Sequence, residues 1–485
     1  MIEITLKNSR SLKFFSWAGI VILQILFGVL YLVLGWQLFF TLVLLGVMAI
    51  VFVKKPEWSL YFLIFWVVIF WNTIGFLISD KAMFFGMNTM PIYMPLVLIG
   101  LACIGVRITA RIQTPVNLGQ SLNIPIFILY IYSLYTITWC TNLEYSLLKF
   151  AFFTFNILLY YYTCFMNFTE EIYKKCMWCW IFTGGIMSVM IIYSIIFHPA
   201  YYFTQNIFSD YNLIFRYIVG VDTRGYVVMH SNYSSFSLNA PIGIAIGLLI
   251  ISKTRFQRFV LISFLILLMF ANCLTFSKGG VGSGIIMIYF LIIGSSVLRK
   301  KAFFIIPVFT AIFIAIGMSS IAFANIFGYA IHAQFIESSG EIMSLAARLE
   351  NWQHGLDLLL KKGLLLKGLG LGGFQQYTEC LIHAHNLYLS IFFDFGLVGI
   401  GFGLSVLLII AKMLFKNGIF SFFNQTTYYQ TMRLVFTGIF IAYMIHSVVD
   451  LWYNQTFIWF FMGFAIVTFS LADAEHSRLK TATVA

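Results

Sequence analysis

Residues 302–324 read AFFIIPVFTAIFIAIGMSSIAFA, with no charged side chain. At about 1.5 Å per residue, a helix of that length crosses the roughly 30 Å hydrocarbon core of a bilayer. Comparable apolar runs lie near 14–34, 37–53, 59–79, 88–106, 124–141, 148–167, 177–197, 233–252, 259–276, 281–298, 386–411, 434–450 and 455–472. In lipid their backbone groups are satisfied only in helices or closed barrels, and a barrel would show alternation where these runs are continuous. The composition agrees: 61% hydrophobic and 9% charged excludes a water-soluble chain. The expected fold class is all-α, a polytopic integral membrane protein of about 14 (12–14) transmembrane helices. No fixed-period repeat or low-complexity linker divides it, so residues 1–485 read as a single integral membrane domain.

Charge sets the orientation. Lys and Arg total 29 against 17 Asp and Glu, a net +12 that in a soluble protein would suggest nucleic acid. Here the excess falls in short connections: Lys54-Lys55, Arg107 with Arg111, Lys174-Lys175, Lys253 with Arg255 and Arg258, Arg299-Lys300-Lys301, Lys412 with Lys416, and Arg478 with Lys480. These share one side if both termini are cytoplasmic, as the positive-inside rule expects, and no nucleic-acid partner is implied. The N-terminal run is too long for a signal-peptide core and reads as a retained anchor. Cys176-x-x-Cys179 has no second pair or nearby His, so its thiols read as small apolar residues.

The exceptions carry the functional information. Two outer loops, about 198–232 and 325–385, hold Arg216, Arg224, Arg348, Lys361, Lys362 and Lys367, and Lys278 falls at the outer end of a span. Lipid headgroups explain the lysines most readily, whereas arginine offers a fixed fork of donors to phosphate or pyrophosphate.

The second loop is the longest polar island. Leu345, Leu349, Trp352, Leu356 and Leu359 form an apolar stripe on a helix that Gly363 can stop, with Arg348 off the stripe. Gly368-Leu369-Gly370-Leu371-Gly372-Gly373 lets backbone approach a ligand and present N–H groups to phosphate, although it is neither a P-loop nor a dinucleotide fingerprint. His383-Ala384-His385-Asn386 opens the next span, whose N-terminus suits an anion and keeps His385 neutral, able to accept a proton. The two histidines cannot share a helix face, and no third ligand stands at useful spacing, so neither a metal nor another cofactor is expected. Within spans, Asp394 and His446 are the clearest ionisable groups, and His446 is spaced to pair with Asp450.

Arg348 with Trp352 and Gly355, a glycine-rich turn ending in Phe374, then His385-Asn386 followed nine residues later by Gly396-x-x-Gly399, resembles the O-antigen ligase superfamily, which includes O-antigen polymerases. Arg224-Gly225 before Asn232, Ser277-Lys278-Gly279-Gly280 and the His446–Asp450 segment look like further landmarks, so the similar region covers about 215–472. The chain departs from the family pattern at Lys278, where Arg is usual, and at Leu365-Leu366-Lys367, where Pro often precedes the turn.

The resemblance implies a glycosyltransferase-C-like architecture with one large periplasmic loop in a bacterial cell inner membrane. It implies a metal-independent, inverting transfer from an undecaprenyl-pyrophosphate-linked glycan to lipid A–core, or in a polymerase to another lipid-linked glycan, among membrane lipids. Arg224, Lys278, Arg348 and Arg216 would then hold the pyrophosphate, and His385 would receive the acceptor proton. Asn386, Trp352, His383, Gly396 and Gly399 would support them. An Arg-x10-Gly polymerase motif is missing at Arg216, Arg224 and Arg348, since Val227, Ser235 and Leu359 stand where Gly would be, which favours ligase. A transporter or flippase of lipid-linked sugars, with repeats and broken helices, is the reading of a different class.

Overall fold

The computed structural model describes residues 46–70, 75–77, 89–91, 93–109, 120–197, 231–326, 345–377, 384–414, 427–448 and 456–484. Eight helices among them are long and apolar enough to cross a membrane, and two shorter apolar helices cover Val97–Arg107 and Lys278–Gly294. The protein is a polytopic helical membrane protein. Span 14–34, most of 37–53, loop 198–232 apart from its last two residues, and Asp450 lie outside the described residues.

In chain order the helices are α1 (Pro56–Phe70), α2 (Tyr93–Thr109), α3 (Gln120–Thr136), α4 (Leu143–Phe165), α5 (Glu170–Phe197), α6 (Ser231–Ile251) and α7 (Arg255–Leu274). They continue with α8 (Lys278–Gly294), α9 (Ala302–Ile326), α10 (Leu345–Lys361), α11 (Gly373–Tyr377), α12 (Leu387–Leu414), α13 (Tyr428–His446) and α14 (Thr456–Val484). One departure from all-α is a short ribbon in which β1 (Gly75–Leu77) pairs antiparallel with β2 (Thr89–Pro91). It cuts into the expected spans 59–79 and 88–106. Pro91 drives Met90 extended and cannot continue an N–H ladder, so the second helix starts only at Tyr93.

The centre is α6, which packs on α5, α7, α8 and α13. Small residues let it do so: a methyl on Gly243 would lie 2.8 Å from Ile439, and one on Gly247 2.4 Å from Val435. At the periphery α9 touches mainly α7 and leaves Phe303, Phe304, Val308 and Ile312 exposed, a surface suited to lipid.

Among the described residues, basic connections gather at one end of the bundle. Arg107 donates to the Val53 carbonyl (3.3 Å), Lys174 lies over the Tyr428 ring (5.2 Å), and Arg433 pairs with Asp473 (2.8 Å) and donates to the Met413 carbonyl. A cavity at that end is lined by Lys174, Lys253 and Tyr428. The opposite end carries Lys278, Arg348 and His385, as contacts described below establish.

Candidate active site

Lys278 is the first residue of α8, just after the N-cap Ser277, whose hydroxyl accepts from Gly280 N–H (3.0 Å). The same hydroxyl donates to Asn232 Oδ1 (2.7 Å) at the start of α6. Beneath them is a buried polar network. Ser235 donates to Asn272 Oδ1, Asn272 Nδ2 to Asn239 Oδ1 (3.2 Å), and Asn239 Nδ2 to the Gly280 carbonyl (3.1 Å). Glycines make room for it: a methyl on Gly280 would fall 2.1 Å from Ser235 Oγ, and one on Gly284 2.6 Å from Asn239 Oδ1. Lys278, exposed, thereby stands in the first turn of α8, at the positive end of its helix dipole.

One turn into α6, Phe236 packs at a tilt against Tyr443 (4.0 Å) and meets the buried His446 ring (5.6 Å) at the far end of α13. That end receives the start of α12: Leu387 N–H donates to the Ser447 carbonyl (2.8 Å), and Asn386 Nδ2 to the Val448 carbonyl (2.8 Å). Asn386 Oδ1 accepts from Leu389 N–H (2.9 Å), so Asn386 caps the helix and His385 precedes the cap. His385 is buried, with φ +47°, a left-handed backbone costing a non-glycine residue about 1–2 kcal/mol. Such strain persists only where surrounding structure holds it. Trp352 Nε1 supplies one hold by donating to the Ala384 carbonyl (2.6 Å).

Trp352 belongs to α10, which forms over the expected residues but packs through a different face. Leu349 and Leu356 of the apolar stripe are exposed, and the packed line is Trp352, Gly355 and Leu359. Gly355 marks that face because a methyl there would lie 2.7 Å from Phe374 and 2.9 Å from Phe393. Arg348, one turn before Trp352, lies on this packed line, off the leucine stripe, and is half-buried. Phe374 and Phe393 stack at 4.7 Å within a small separate core that includes Leu359, Leu369 and Ala384.

The glycine run does not present its N–H groups to a phosphate. Gly368 N–H donates to the Leu364 carbonyl (2.7 Å), Leu369 to Phe393 (2.8 Å), Gly370 to Asp394 (3.0 Å) and Gly373 to Gly370 (2.7 Å). Leu371 N–H goes to Thr136 Oγ1 (3.1 Å), and the Asp394 carboxylate takes Gly372 (3.1 Å) and Phe374 (3.2 Å). A phosphate cradle needs such donors available. These glycines serve backbone approach instead. Gly396 has φ +65° and breaks α12, and Leu397 and Val398 N–H bond across to the Leu365 (3.0 Å) and Leu366 (3.2 Å) carbonyls. The transporter reading foresaw broken helices where the sequence offered no sign of one. This break is closed by the chain's own backbone. Gly399 lies close against Phe395 on the resumed helix, where a methyl would fall 2.2 Å from that side chain's Cβ.

The structure thus brings Lys278, Arg348, Trp352, His385 and Asn386 to one end of the bundle, with Gly396 and Gly399 supporting the segment between. Arg216, Arg224 and His383 lie outside the described residues. Sequence reasoning missed the Ser235–Asn239–Asn272 network, although asparagines inside apolar spans were a signal. These features define a class: a multi-pass helical membrane protein whose polar end groups cations and a histidine beside a separately packed segment.

Comparison with known families identifies the class further. Residues 261–404 match the family described as O-Antigen ligase, a similarity that supports the O-antigen ligase superfamily. The matched stretch contains Lys278, Arg348, His385, Gly396 and Gly399. It supports a membrane enzyme of the ligase or polymerase type, glycosyltransferase-like in general character. No curated protein matches the chain.

Proposed function

We propose that this protein is an O-antigen ligase-type glycosyltransferase that moves a glycan from undecaprenyl pyrophosphate to lipid A–core at the periplasmic face of a bacterial inner membrane. In this reading it is one integral domain of about fourteen helices with both termini cytoplasmic. The observation that supports it best is the convergence of Lys278, Arg348 and His385 at the end opposite the basic connections, within the stretch similar to O-antigen ligases.

The acceptor hydroxyl oxygen attacks the anomeric carbon of the donor sugar. The bond from that carbon to the pyrophosphate oxygen breaks, and the lipid pyrophosphate leaves with the electron pair. His385 takes the hydroxyl proton. Arg348 and Lys278, joined by Arg224 and Arg216, stabilise the charge growing on the leaving group, a role worth about 10²–10³ in rate per well-placed donor. These cations make a metal ion unnecessary. Displacement from the opposite face inverts the anomeric centre.

The test is the glycan profile of cells carrying Arg348→Ala or His385→Ala at normal membrane abundance. A ligase predicts accumulation of long lipid-linked glycan and no polymer ladder on lipid A–core. Single repeat units still reaching lipid A–core would reassign the site to a polymerase. A normal ladder in both variants would refute the proposal.

A further inference from the structure

We infer that Asp394 and Lys149 form a buried charged pair that positions the outer segment, and with it Arg348, against the helix that His385 precedes. The inference rests on the proposed function for its consequence in turnover, and on geometry alone for the pair itself.

The two residues come from helices far apart in sequence, α12 and α4, yet are only 3% and 6% exposed. Opposite charges that deep in an apolar bundle are tolerated only when each supplies the other's counter-charge and the remaining polar valences are filled. The Asp394 carboxylate approaches the Lys149 stem at Gly372, whose N–H it accepts (3.1 Å) and where an added methyl would be 3.3 Å from Lys149 Cγ. Its other oxygen accepts the N–H of Phe374. The Lys149 ammonium stands 5.0 Å from the Tyr145 ring centroid.

Neighbouring bonds extend the clamp along the same seam. Ser146 donates to the Leu371 carbonyl (2.8 Å), Tyr145 to Gln375 Oε1, Trp139 Nε1 to the Gly368 carbonyl (3.1 Å), and Gln376 Nε2 to Ser146 (2.9 Å). The clamped loop leads directly from the helix bearing Arg348. Phe374, whose N–H Asp394 holds, stacks on Phe393 and bounds the space a side chain on Gly355 would need. Position therefore passes from Lys149 through Asp394 and Phe374 to the face of α10 that carries Arg348. Asp394 and Lys149 touch neither donor nor acceptor in this scheme. They are positioning residues.

Asp394→Asn supplies one acceptor oxygen in place of two, directs an amide N–H toward a backbone N–H, and leaves Lys149 without its counter-charge. Lys149→Met keeps the stem and removes the charge. Each single variant should lower kcat by about tenfold or more while donor KM changes by less than about twofold, because misplacement near 1 Å costs up to about 10² in rate. The combination Asp394→Asn/Lys149→Met should recover part of that loss, since no uncompensated charge remains.

Geometry is read independently with spin labels at Glu350→Cys and Thr138→Cys, both exposed, in a background without native cysteines. The distance distribution should be narrow in the parent, broad in each single variant and narrower again in the double. If Asp394→Asn fails to accumulate, Lys149→Met and the double variant read the same geometry. An unchanged distribution in Lys149→Met, or a broadened one with undiminished kcat, would overturn the inference. Failure of the proposed function would look different: Arg348→Ala and His385→Ala would keep full transfer while the spin-label distances still responded to Asp394 and Lys149.

Discussion

Replacing Gly396 by alanine tests the central knot of the fold, where the broken helix and the glycine loop share backbone. The left-handed φ of +65° costs an alanine about 1–2 kcal/mol. The new methyl would also sit 2.3 Å from the Leu366 carbonyl oxygen, where ordinary contact begins near 3.4 Å. Relief requires the two strands of backbone to part by about 1 Å, which weakens the bonds from Leu397 and Val398 at about 0.5–1.5 kcal/mol each. Together these terms give a loss of about 2–5 kcal/mol. Two other glycines separate the contributions. Gly363 shares the left-handed backbone (φ +64°) but has open space around it, so Gly363→Ala should cost only the conformational term. Gly401 is helical with nothing nearby, and Gly401→Ala should stabilise by up to about 1 kcal/mol. Thermal unfolding in detergent gives the ranking, and hydrogen exchange at Leu397 and Val398 localises it. Gly396→Ala unfolding and exchanging like Gly401→Ala would refute the interlocked-backbone account.

Lys278→Arg should retain transfer, because it keeps the cation at the end of α8 and adds a fork. Lys278→Gln should lose about tenfold or more in kcat/KM, measured with the lipid-linked donor. Trp352→Phe keeps the ring but removes the donor to Ala384, about 1 kcal/mol of support for the strained backbone at His385; transfer should fall by about fivefold at unchanged membrane abundance.

The spans were legible because an apolar run of bilayer length has few other fates. Their order also carried the gathering of Lys174, Lys253 and Tyr428's neighbours at one end. Less legible was anything that depends on a partner far along the chain. Asp394 looked like an isolated ionisable group because Lys149 stands on another helix, and the glycine run looked like a ligand loop because its partners at Thr136 and Phe393 are not sequence neighbours. The protein-facing side of α10 was not legible for a related reason. Leucine spacing reports apolarity, whereas closest approach there is marked by Gly355. The short ribbon was hidden because Gly75–Leu77 is as apolar as the helix preceding it.

The most direct measurement is transfer by purified protein in excess EDTA, using a radiolabelled undecaprenyl-pyrophosphate glycan and lipid A–core as soluble detergent complexes. The account predicts labelled lipid A–core from the wild type at full rate, with inverted anomeric configuration. It predicts at least about a hundredfold less from Arg348→Ala, and partial recovery in Arg348→Lys, where a point charge replaces a fork. Activity abolished by EDTA and restored by a divalent cation, or undiminished in Arg348→Ala, would contradict it.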